Sequence, residues 1–126
     1  MTESRAPSAD FSEVAELLPL PPATFHILVA LAAGDRHGYG IIQDVEARTD
    51  GELRLSPGTL YRTIQRLLEQ GLIAEPKRRP HADDDPRRRY YRITPFGTTA
   101  ARAETRRLSQ LVRFAKGVGL LAAETA

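Results

Sequence analysis

The chain has 126 residues, enough for one domain around one core. It has no cysteine, which excludes disulfides, cysteine-ligated zinc and thiol catalysis. Its net charge is only +2, and no run approaches the ~18 consecutive apolar residues of a membrane span.

The first residues, MTESRAPSAD, carry no basic stretch followed by an apolar one, so no secretion signal is read and a cytoplasmic protein is expected. Charge is unevenly placed. Residues 1–19 set Arg5 against Glu3, Asp10, Glu13 and Glu16. Residues 77–92 set Lys77, Arg78, Arg79, Arg87, Arg88, Arg89 and Arg92 against Asp83, Asp84 and Asp85. A basic block in one segment is an electrostatic footprint for nucleic acid, or else a solvated loop.

In chain order, residues 1–9 read as a disordered tail. Residues 10–18 read as a short helix capped by Asp10 or Ser12, with Phe11, Val14, Leu17 and Leu18 as its stripe. Prolines 19, 21 and 22 break the chain. A second helix starts near Pro22, apolar nearly all round and therefore central, with Gly34 just past its end. A third covers roughly 38–49 with Ile41, Ile42 and Val45 inward, and Asp50-Gly51 turns the chain. Leu53-Arg54-Leu55 alternates like a small strand.

Ser56 is a good N-cap and Pro57 suits the first turn of a fourth helix. Leu60, Ile64, Leu67 and Leu68 make one apolar face, and Gly71 stops the helix. The opposite face carries Thr59, Arg62, Gln65, Arg66 and Glu69. Leu72–Glu75 and Arg88–Ile93 read as strands joined by a long loop rich in proline and charge. Thr94-Pro95 repeats the cap-then-proline signal, opening a last helix from about 95 to 115.

The order predicts a mainly α fold with a small β-hairpin: a winged helix-turn-helix over 10–93, then a C-terminal helix and tail over 94–126. In such a fold the fourth helix enters a major groove. Ser56, Gly58 and Thr59 lie at its start, where free N–H groups favour a phosphate. Arg62 and Arg66 suit guanine or phosphate, and Gln65 suits adenine. Tyr61 sits at the stripe's edge with its hydroxyl toward a phosphate. Tyr39 anchors the core or touches DNA. Arg78, Arg79, Arg87 and Arg88 sit where a wing reaches the backbone. On the last helix Phe96, Ala100, Ala103, Leu108, Leu111, Val112 and Ala115 form a loose apolar stripe suited to a second copy.

Four runs, His37-Gly-Tyr-Gly-Ile41, Leu55-Ser-Pro-Gly-Thr-Leu-Tyr61, Arg66-Leu-Leu-Glu-Gln-Gly-Leu-Ile73 and Arg89-Tyr-Tyr-Arg-Ile-Thr-Pro-Phe-Gly97, occur together. In this the chain resembles the PadR family of bacterial transcriptional regulators, over residues 24 to about 100. The resemblance implies a winged-helix DNA-binding domain, a homodimer formed largely through the last helix, and repression relieved by a small molecule. Some relatives hold flat aromatic ligands at the dimer interface, and Phe11, Phe96 and Phe114 are the candidates here for lining such a pocket.

Other chemistries find little support. His26, His37 and His81 lack a metal-binding spacing, and His37 reads as a cap or turn. Asp83–Asp85 read as a solvated loop tip. Gly38-Tyr39-Gly40 is no phosphate loop, because no Gly-Lys-Ser/Thr follows. Ser56 lacks a visible His and Asp. No enzyme, metal or cofactor is expected. Two alternatives stay open: a winged-helix protein-interaction module, favoured by the acidic tip HADDDP, and a dimer whose main output is ligand sensing.

Overall fold

The computed structural model describes residues 7–78 and 85–122, with side chains from residue 12 onward. Five helices and three short strands follow in the order α1 (Pro7–Leu17), α2 (Pro22–Ala32), β1 (Arg36–His37), α3 (Gly38–Arg48), α4 (Pro57–Gln70), β2 (Ile73–Ala74), β3 (Tyr90–Ile93) and α5 (Pro95–Gly117).

Local signals set most boundaries. The Ser56 hydroxyl accepts the Thr59 N–H at 3.2 Å, and Pro57 fills the first turn of α4. Gly71 ends α4 at φ 77°, a left-handed conformation that suits glycine. Thr94 caps α5 in the same way, accepting from the Gly97 N–H at 2.9 Å. His37 caps α3 through Nδ1, which accepts from the Gly40 N–H at 3.0 Å.

The core is built from Ile27, Leu28 and Leu31 of α2, Ile41 and Val45 of α3, and Leu60, Ile64 and Leu67 of α4. Leu72, Ile73 and Tyr91 close it from the sheet, and Val14 of α1 covers one end. Complete burial of such side chains contributes roughly 1.5–3 kcal/mol each. Thr63 is also buried, and it stays satisfied by donating to the Thr59 carbonyl at 2.8 Å.

Two expectations are corrected. Leu53–Leu55 is not a strand: Leu53 donates its N–H to Thr49 Oγ1 at 3.0 Å, and Leu55 turns into the core. Both edges of β3 are already taken, by β2 and by β1, so the sheet has three strands in the antiparallel order β1-β3-β2. The helix expected from residue 10 begins at Pro7, so residues 7–9 are helical where a tail was expected and neither Asp10 nor Ser12 is its cap. Residues 1–6 lie outside the described residues.

Glu104 of α5, although charged, is buried. It is 2% exposed, and Arg107 grips its carboxylate with two bonds of 2.8 Å. The Arg107 bond, helped by the Leu20 N–H, holds the Glu104 pKa below the usual carboxylate range against the opposing effect of burial.

Candidate nucleic-acid interface

The apolar stripe of α4 faces the core, so its other face is fixed outward. Arg62, Gln65, Arg66 and Glu69 are exposed there. Gln65 Nε2 donates to Glu69 at 3.3 Å, and Arg62 leans back to Thr59 Oγ1 at 3.5 Å. At the start of α4, Ser56 and Gly58 are exposed; a Cβ at position 58 would meet only the Arg62 guanidinium, at 3.6 Å. The first turn is therefore open to close approach by another backbone.

Two tyrosines flank this surface. Tyr39 is 60% exposed on the first turn of α3, and Tyr61 is 50% exposed on α4. Tyr61 reaches across to α3, where its hydroxyl lies against the Cα of Gly38. Gly38 is buried beneath it, so the absence of a side chain at 38 is what lets the two helices share this corner.

The wing base adds cations of unequal availability. Arg78 is exposed beside Lys77 at the end of β2. Arg87 donates both side-chain and backbone N–H groups to Asp85, at 2.9–3.2 Å, so a neighbour partly neutralises it. Arg88 places Nη1 3.0 Å from His37 Nε2. Arg79 and the acidic tip through Asp84 lie outside the described residues.

Of the expected contact residues, the structure thus gathers Tyr39, Tyr61, Arg87 and Arg88 around one cavity, while Arg62, Gln65 and Arg66 line the adjoining face of α4. Arg78 sits in a separate recess with Glu75 and Arg92. Sequence reasoning missed His37, Arg89 and Tyr91 as lining of that cavity. Arg89 was legible as part of the basic run. Tyr91 was not, because only the sheet register shows which way it faces.

The stripe on α5 divides in two. Ala100 is fully buried in the chain's own core, and Phe96 and Ala103 pack against it, so these three are not free for a partner. Beyond Leu108 the helix projects, leaving Leu111, Val112, Phe114 and Val118 exposed. The three phenylalanines do not converge: Phe96 meets the core, Phe114 is 72% exposed, and the Phe11 side chain lies outside those described. A cavity of about 710 Å³ lies elsewhere, between α2 and α5, floored by Val29, Ala32, Ile93 and Ala101 and rimmed by Arg102, Arg106 and Arg113. Among the described residues, no cluster of His, Asp and Glu is placed to hold a metal ion, and no helix is long and apolar enough to cross a membrane.

Helix-turn-helix, three-stranded wing base and exposed α4 face together define a winged-helix protein. Residues 27–103 match the model of the Transcriptional regulator PadR-like family, and the chain belongs to that family. It is 38% identical over 88 residues to Transcriptional regulator Rv3488 of Mycobacterium tuberculosis, covering 70% of this chain and 77% of that one. It is 45% identical to Transcriptional regulator YqjI of Escherichia coli over 47 residues, 37% of this chain and 23% of the relative. The fold is also that of a PadR family regulator from Clostridium difficile, with a TM-score of 0.65 at 21% identity over 78% of this chain and 98% of the other. A transcriptional regulator from Clostridium thermocellum aligns with a TM-score of 0.62 at 24% identity, over 90% and 97% of the two chains.

Proposed function

We propose that this transcriptional regulator is a sequence-specific, dimeric DNA-binding repressor released by a small molecule. The observation that carries the reading is the outward face of α4. Its apolar side is locked in the core, so Arg62, Gln65 and Arg66 project together from a helix whose open first turn suits a phosphate. Thr59 and Tyr61 meet the backbone beside them, and Arg78, Arg79, Arg87 and Arg88 hold flanking phosphates.

The projecting end of α5 supports the dimer. Leu111, Val112 and Phe114, with Val118 at the C-cap, put apolar surface on a helix end that the other described residues leave uncovered, and a second copy covers it. Two copies of α4 then address a pseudo-palindrome about 34 Å apart. The α2–α5 cavity is of a size that suits a small effector, with an apolar floor for its body and arginines for a negative group.

The test is a fluorescence-anisotropy titration of DNA from immediately upstream of the protein's own gene against scrambled DNA at several salt concentrations. The expected result is at least roughly a hundredfold preference, a steep salt slope and two chains per site. Equal, weak binding to both, and to every member of a random library, overturns the reading.

A further inference from the structure

The outward face of α4 ends in a residue that suits a DNA surface poorly. Glu69 is exposed in the last turn of the helix, on the face that carries Arg62, Gln65 and Arg66. A carboxylate there is disfavoured twice, by the negative end of the helix dipole and by any phosphate that the arginines attract. Its partner shows what it does. Arg66 lies one turn before Glu69, within reach of an ion pair. Arg107 takes Glu104 at that spacing, and Arg48 takes Asp44 one residue further off. Yet among the described residues no carboxylate meets Arg66. Glu69 accepts instead from the neutral Gln65 amide, Nε2 to Oε2, at 3.3 Å. The arginine keeps its full charge for a guanine or a phosphate, while the amide loses its freedom to turn over.

The consequence is one of orientation. An ionised carboxylate only accepts, so the nitrogen end of the Gln65 amide must face Glu69 and the carbonyl end must face away. Nε2 carries two N–H groups, and one remains available beside Oε1. That acceptor and donor, in fixed order, match the N6 amino group and N7 of adenine. Moving adenine to the other strand reverses the order in which N6 and N7 meet the helix. A free amide follows by turning over, since its two ends are alike in shape. An amide held by Glu69 must give up that bond to do so.

We propose that Glu69 is a positioning residue for base reading: by holding the Gln65 amide in one orientation, it lets α4 favour A·T over T·A at one step of each half-site. The proposal rests on the DNA-binding reading above. It adds to that reading a residue that sets specificity through a neighbour rather than by touching a base.

The test selects bound sequences from a randomised double-stranded DNA library with the full-length wild type, Gln65→Ala, Glu69→Ala and the double variant. Gln65→Ala should erase an adenine preference at one position, which marks the step that Gln65 reads. At that same position Glu69→Ala should narrow the preference for A·T over T·A about two- to fivefold and leave the other positions unchanged. Affinity for all sequences should rise slightly as a negative charge is removed, so the readout is the base profile and not the affinity. In the Gln65→Ala background Glu69→Ala should change no base preference, because the amide it orients is gone.

A stability readout separates positioning from a merely structural role. Both side chains are exposed, so Glu69→Ala should melt no lower than the wild type. A lower melting temperature with an unmoved profile overturns the proposal. So does a change at a different position that survives in the Gln65→Ala background, which would mean that Glu69 itself accepts from a cytosine amino group. An unchanged profile in Gln65→Ala or in Glu69→Ala, with a wild type that enriches a defined motif, overturns this inference and leaves the regulator reading standing. A wild type that enriches no motif overturns both.

Discussion

The phenol of Tyr61, on α4, rests directly on Gly38 at the start of α3, so closely that a Cβ at position 38 would collide with its hydroxyl. A second glycine is equally confined but by backbone: a Cβ on Gly97 would run into the Leu72 carbonyl and the Ile93 side chain. The two contacts differ in what can yield. A half-exposed phenol can swing away, whereas a carbonyl at the join of α4 and β2 cannot. Gly38→Ala is expected to change stability by less than about 1 kcal/mol while weakening DNA binding through a displaced Tyr61. Gly97→Ala should cost about 1–3 kcal/mol of stability or more. Thermal melts and DNA titrations on both variants test this contrast; equal effects on folding would refute it.

Arg62→Ala or Arg66→Ala should weaken binding to the specific site by about 1–3 kcal/mol wherever that arginine reads a base. Scrambled DNA should be affected less. Equal loss on both DNAs reassigns the side chain to the backbone.

Arg78→Ala should weaken all sequences alike and lower the salt slope by about one unit, because Arg78 is exposed at the wing base, where the proposed contact is a flanking phosphate. Arg87→Ala should do less, since Asp85 already binds that guanidinium. Salt-dependent titrations compare the two; a larger effect at Arg87 would mean that DNA displaces Asp85.

Glu104 makes acid stability measurable at one pair. Its folded-state pKa lies below the unfolded one, so its contribution is present above the ordinary carboxylate value and is lost as pH falls through the depressed one. Arg107→Ala should cost about 1–3 kcal/mol, because it strands a buried carboxylate. Glu104→Gln should cost less at neutral pH, since the amide keeps an acceptor for the Leu20 N–H and the half-buried Arg107 can hydrate. Urea melts from pH 7 to pH 3 check both the order and the sign: the gap between Glu104→Gln and the wild type should narrow in acid.

The proposed dimer should depend on the projecting end of α5. Leu111→Asp with Phe114→Asp leaves the core untouched, as both side chains are exposed. Sedimentation equilibrium should show a dimer for the wild type and a monomer for the double variant, with unchanged melting of the isolated fold. A monomeric wild type at concentrations that saturate DNA would remove this surface from the proposal.

The sequence made α4 legible because every signal for it is local: a serine cap, a proline, a four-residue apolar rhythm and a terminal glycine. β1 was not legible, because two residues carry no alternation and exist as a strand only through pairing with Tyr90 and Tyr91. Leu53–Leu55 carried the alternation and had no free strand edge to join. Nothing local marks Glu104 as buried, because its carboxylate is met by the Leu20 N–H, far away in the chain, as well as by Arg107 one turn on. For the site, residue types along α4 were readable, but the pairing of Arg87 with Asp85 and the inward turn of Tyr91 required the folded backbone.

Thr94 joins the end of α4 to the start of α5. Its hydroxyl donates to the Gly71 carbonyl at 2.7 Å while accepting from the Gly97 N–H, and its own N–H donates to the Leu72 carbonyl at 3.1 Å. The last turn of α4 and the first turn of α5 are therefore one knot rather than two elements on a hinge. In the proposed dimer, rotating α5 would carry α4 with it, as a gear carries its shaft. In that dimer, a signal that shifted the α5 pairing by a few degrees would change the distance between the two α4 helices directly, and the pitch of the DNA would set how small a shift suffices to lose the site.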